Sequence, residues 1–157
     1  NMERIAMRYS QVRDMLDQVR EFHGQLAEQY HRASEATEQQ RVKLLVDHMS
    51  GHEEQLEKDL AAYEGDASTQ VMDTWVDCRH CNDILDTCKQ AVIAPDASVD
   101  DVIQAALDVD KCLVQFYRDV VDSVDSESVR DVFRNLVDME ESELRRLALD
   151  AVQLADV

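Results

Sequence analysis

Glycine and proline are nearly missing from this chain, with three and one respectively in 157 residues. Turn-rich β sandwiches and barrels draw heavily on both, so their scarcity argues for long helices. Aromatic residues make up only 5%. Positive charge is also short: 16 Lys and Arg face 34 Asp and Glu, a formal net charge of −18. Such a surface repels phosphate backbones and anionic headgroups, which argues against nucleic acid or a membrane as partner. No segment approaches the roughly 20 apolar residues of a spanning helix. Glu3, Arg4, Arg8, Arg13 and Asp14 stud the start of the sequence, so no secretory signal is expected there. Reduced thiols at Cys78, Cys81, Cys88 and Cys112, and a cytoplasmic location, follow as expectations.

What is present is a repeated helical seam. In the first segment Ile5, Tyr9, Val12, Leu16, Val19, Leu26, Tyr30 and Ala33 recur at steps of three and four. Thr37 with Gln40 matches a capping box and opens a second seam of Val42, Leu45, Met49, Leu56, Leu60 and Tyr63. A middle segment from about residue 70 to 91 sets Val71, Trp75, Cys78, Cys81, Leu85 and Cys88 at helical spacing. Ser98 with Asp101 starts a third long helix, with Val99, Ile103, Ala106, Leu113, Tyr117, Val120 and Val124 on its seam. Asp125-Ser126 caps a fourth, with Val129, Phe133, Leu136, Leu147, Ala151 and Leu154.

The expected architecture is all-α: one domain over 1–157, built as a four-helix bundle of two antiparallel pairs. The crossover at about 65–97 is long enough to run the bundle's length, so the second and third helices could be parallel. One long crossover is the ferritin-like topology.

Each seam is interrupted by ionisable residues near its middle. His23 stands between Val19 and Leu26, His52 between Met49 and Leu56, and Asp110 between Ala106 and Leu113. Glu140 and Glu143 stand between Leu136 and Leu147. The halves match in spacing: Tyr30 follows His23 by the same interval as Tyr117 follows Asp110, and Met49/His52 answer Glu140/Glu143. Unpaired charge in a bundle core costs several kcal/mol. Imidazole and carboxylate together suit iron, manganese or zinc, so a metal site is one solution. A metal-free network of charged His, carboxylates, tyrosines and water is the other.

The stretches Ala105-Ala106-Leu107-Asp108-Val109-Asp110 with Phe116-Tyr117, and Phe133 through Glu143, resemble the third and fourth helices of the rubrerythrin branch of the ferritin-like superfamily. His23, Tyr30, Leu45 and His52 resemble the first pair more loosely. The resemblance covers roughly 19–64 and 98–150. It implies a di-iron site with one Glu from each of two helices and a Glu-x-x-His pair from each of the others. His23 and Asp110 stand at the single-Glu positions, Met49 replaces the first Glu of a pair, and His52 keeps its His. Glu140 keeps its Glu, and Glu143 replaces the last His. The implied centre is therefore a degenerate one, holding one or two ions through His23, His52, Asp110, Glu140 and Glu143. Tyr30, Tyr117 and Met49 would line it. Peroxide or dioxygen reduction would be its chemistry if an external electron donor exists, because the cysteine knuckles of true rubrerythrins are absent.

The rival reading is a non-catalytic interaction protein that keeps the bundle without the metal, acting through its outer faces or as a homodimer. Cys78-Arg79-His80-Cys81, with Cys88, has zinc-like elements but also fits a buried helical face, and Cys112 fits simple packing. His31 and His48 lie beside seam positions, and Glu53-Glu54 pairs a candidate inward residue with an outward one.

Overall fold

The computed structural model describes residues 9–77, 88 and 92–155. Within them the elements run β1 (Tyr9–Gln11), α1 (Val12–Ala36), α2 (Gln40–Asp66), α3 (Thr69–Met72), β2 (Trp75–Asp77), α4 (Val99–Ser123) and α5 (Glu127–Ala155). The chain is mostly helical, as its composition requires. Ile5, Cys78, Cys81 and Leu85 lie outside the described residues, as do the side chains of Ala151 and Leu154.

α1 and α2 form an antiparallel hairpin, for Arg20 reaches Glu64, His23 reaches Glu53, and the Ser50 hydroxyl donates to the Ala27 carbonyl. α4 and α5 form another, joined by Tyr117–Glu140 and Arg118–Glu141 contacts. Between the hairpins, His48 meets Asp150 and His52 meets Arg146, so α2 and α5 run antiparallel. α2 and α4 therefore run in the same direction, and Gln39 before α2 reaches the Ala97 carbonyl before α4.

The seams close on one core that includes Leu16, Val19, Leu45, Leu113, Tyr117 and Phe133, all fully enclosed. Ser98 and Asp101 form the expected reciprocal cap on α4. Ser126 accepts from the Val129 amide at the start of α5. Thr37 behaves otherwise. Its amide closes α1 onto the Ala33 carbonyl and its hydroxyl accepts from Gln39, so α2 starts at Gln40 without a side-chain cap. A three-residue connector leaves one residue little scope to serve both helices.

Two seam assignments are corrected by pairing. Tyr9 and Trp75 belong to short antiparallel strands, with Tyr9 opposite Asp77 and Gln11 opposite Trp75. Arg13–Asp73 at 2.7 Å and the Val12 amide on the Thr74 carbonyl hold this ribbon against the start of α1. Helical spacing alone could not exclude a three-residue strand, because the partner lies more than sixty residues away. A second correction concerns the thiols: Cys88 and Cys112 form a disulfide that ties the crossover to α4. The spacing of two cysteines in the sequence carried no sign that the crossover brings them together. Among the described residues no helix is long and apolar enough to cross a membrane.

Candidate metal centre

Four ionisable side chains from four helices are buried together at mid-bundle: His23 on α1, Glu53 on α2, Asp110 on α4 and Glu140 on α5. His23 and Glu140 are completely enclosed, and Asp110 is 7% exposed. His23 Nδ1 lies 2.5 Å from Glu53 Oε2, and its Nε2 lies 2.9 Å from Glu140 Oε1. Tyr117 donates to Glu140 Oε1 at 3.2 Å. Tyr30 and Met49, both buried, line the pocket beside Glu53 and Asp110.

Of the sequence-predicted residues, His23, Asp110 and Glu140 come together, and His52 and Glu143 do not join them. Those two are part-exposed and sit at the pocket's outer side, with His52 Nδ1 3.8 Å from Glu143 Oε2 and 3.1 Å from an Arg146 nitrogen. Glu53 takes the inward position instead of His52. A strict alternation of three and four from Val42 and Leu45 through Met49 leads to His52, which assumes 3.5 residues per turn. The buried positions are Val42, Leu45, Val46, Met49, Ser50, Glu53, Leu56 and Leu60, and one row of them runs Val42, Leu45, Met49, Glu53, Leu56 and Leu60. From Val42 to Leu60 they make five turns at 3.6 residues each, the period of a straight helix. His48, half exposed, contacts Asp150 and His52, while His31 pairs with Glu35 at the surface.

The electrostatics of the buried set are lopsided. Burial alone would lower the His23 pKa, but Glu140 and Glu53 against its ring outweigh this and hold it well above the ordinary imidazole value. Burial, then Glu140 and Glu53, push Asp110 well above the usual carboxylate range, and burial also raises Glu53. Tyr30 and Tyr117 are kept neutral, first by burial and then by the same carboxylates. One imidazolium against three carboxyls leaves negative charge that another proton or a cation must offset.

Hydrogen bonding is incomplete at the same place. Asp110 takes no hydrogen bond from a described side chain, although it faces the pocket with Glu53, His52 and Glu143. His23 Nε2 and Glu140 Oε2 are buried without an aligned partner. The 2.9 Å His23–Glu140 separation is therefore a close approach rather than a good hydrogen bond. Two donors on one tetrahedral ion at 2.0–2.2 Å bond lengths would stand about 3.3–3.6 Å apart, so His23 Nε2 and Glu140 Oε1 would have to separate by about 0.4–0.7 Å to share one. Glu53 on Nδ1 fixes the ring as a metal-binding histidine's outer carboxylate does, so that an ion displacing the second proton of the imidazolium would meet a lone pair on Nε2. The set is nevertheless not a converged triad. Among the described residues, three donor atoms lie mutually within 4.8 Å only on His48, His52 and Asp150.

The pocket joining the two groups is small, with a cavity volume of about 30 Å³. It passes from Tyr30, Glu53 and Asp110 outward to His48, His52 and Asp150. No protein-family model, curated protein or solved structure matches this chain.

Proposed function

We propose that this chain is a ferritin-like, rubrerythrin-related bundle that binds a transition-metal ion at mid-bundle, with iron, manganese or zinc as the candidates. His23 Nε2, Glu140 and Asp110 would hold the ion, Glu53 would orient His23, and Tyr117 would orient Glu140. Lewis-acid or redox chemistry would be the ion's own contribution. The observation that carries this reading is Asp110, a buried carboxyl that takes no hydrogen bond from a described side chain and faces a solvent-connected pocket beside two other buried carboxyls. The parallel run of α2 and α4 and the two hairpins support the ferritin-like topology, though short of the full bundle arrangement.

A metal-free reading has one observation in its favour. His23 already sits between Glu53 and Glu140, so protonated His23 with a protonated Asp110 could close the network without an ion. In that case the protein acts through its outer faces, alone or as a homodimer.

Elemental analysis separates the two. Protein produced in iron-, manganese- and zinc-supplemented medium, without a metal-affinity step, should carry near-stoichiometric metal, and Asp110→Asn should lose an equivalent. Metal-free wild-type protein of undiminished stability would favour the second reading.

A further inference from the structure

A separate donor set stands at the mouth of the pocket, where α2 passes α5. His48 Nε2 lies 3.0 Å from His52 Nε2 and 2.7 Å from Asp150 Oδ2. The two rings, one helical turn apart, have centroids 4.4 Å apart and stand at 81° to each other. One ligand atom from each of His48, His52 and Asp150 lies within 4.8 Å of the other two.

Counting protons shows that this chain of contacts cannot satisfy itself. The Arg146 guanidinium can only donate, so at 3.1 Å it requires a lone pair on His52 Nδ1. His52 then carries its proton on Nε2 and donates to His48 Nε2, which must present a lone pair. That lone pair also faces an Asp150 oxygen, and an ionised carboxylate only accepts. Placing the proton on His48 Nε2 instead satisfies Asp150 but turns His52 Nδ1–H against Arg146. Either way one contact sets like against like. A cation between the two Nε2 atoms and Asp150 Oδ2 removes the conflict, since all three then act as lone-pair donors.

We propose that His48, His52 and Asp150 form a second, outer metal site for a divalent ion of the imidazole-preferring kind, with Zn²⁺ as the type. Two imidazoles and one carboxylate leave a fourth position for water. Binding moves the His52 proton to Nδ1, displacing Arg146. Arg146 already lies 3.4 Å from Glu143 Oε1 and can pass wholly to it, while the other oxygen, 3.8 Å from His52 Nδ1, is placed to accept the new N–H. This site uses none of the buried His23, Glu140 and Asp110 donors and stands whether or not they hold an ion.

The test is titration of the metal-stripped full chain with Zn²⁺, and with Co²⁺ as a spectroscopic stand-in. The wild type should show the visible bands of four-coordinate Co²⁺. In the Asp110→Asn background, which removes the inner site, His48→Ala and Asp150→Asn should each abolish those bands and weaken the remaining Zn²⁺ equivalent by at least about 100-fold. Arg146→Gln should strengthen the same equivalent several-fold, which loss of a merely structural arginine would not do. Asp110→Asn should leave the bands intact, so failure of the inner site is seen separately. Zn²⁺ affinity unchanged in folded His48→Ala, or no Zn²⁺ binding by the wild type, would overturn the proposal.

Discussion

His23 Nδ1 lies 2.5 Å from Glu53 Oε2 in the interior between α1 and α2, with the imidazole completely buried. The pair converts a seam position of each helix into an interhelical contact that an apolar residue could not replace singly. Removing one partner of a buried ion pair costs about 3–5 kcal/mol, because the other charge is left uncompensated. His23→Leu should therefore lower the unfolding free energy by about 3–5 kcal/mol, read as a lower urea midpoint with an unchanged denaturant slope. Replacing His23, Glu53 and Glu140 together by Leu, Met and Met should recover much of the loss.

The pH dependence of the metal-free chain follows from the same cluster. Asp110 and Glu53 have raised folded-state pKa values, chiefly through burial, with Glu140 and Glu143 adding like charge. His23 is raised by Glu140 and Glu53 against its own burial. In each case the folded chain keeps a proton that the unfolded chain has released, so stability falls as pH rises. The loss begins near the unfolded carboxyl value of about 4 and continues above the unfolded imidazole value of about 6.5. Metal competes with those protons, so the gain in Tm on adding it should grow over the same range. Thermal melts across pH, with and without metal, check both slopes.

Much of this arrangement is legible in the sequence, and its gaps have physical causes. The four long helices, the cap at Ser98 and the inward places of His23, Asp110 and Glu140 follow from local periodicity. The choice between His52 and Glu53 does not, because after Met49 a step of three and a step of four fit a helical seam about equally well and only the packing of α2 selects the second. The outer set of His48, His52 and Asp150 depends on where α5 crosses α2, and nothing local marks that crossing. The Tyr9–Trp75 ribbon and the Cys88–Cys112 bond are long-range in the same sense.

That disulfide closes a loop between residues 24 positions apart and anchors the crossover to α4. A loop of this size contributes about 3 kcal/mol by restricting the unfolded chain. Cys112→Ser, or reduction of the wild type, should lower stability by about 2–4 kcal/mol in urea. The helical circular dichroism signal below the transition should stay the same.

Gly51 lies on the exposed side of α2, with nothing within 4 Å of the position its Cβ would take. Helix interiors favour Ala over Gly by about 1 kcal/mol. Gly51→Ala should raise stability by roughly that amount while leaving metal content unchanged, which checks that α2 is a continuous helix through the candidate site.

Asp110→Asn bears most directly on the central claim, because it keeps the shape of the buried side chain and removes only its capacity for negative charge. Calorimetric titration of Mn²⁺, a carboxylate-preferring ion, into metal-stripped protein is the decisive measurement. The wild type should bind one equivalent at mid-bundle, and Asp110→Asn should lose it while its metal-free form becomes more stable than the wild type. Equal Mn²⁺ binding by the two proteins, or none by the wild type, would contradict a metal centre built on Asp110.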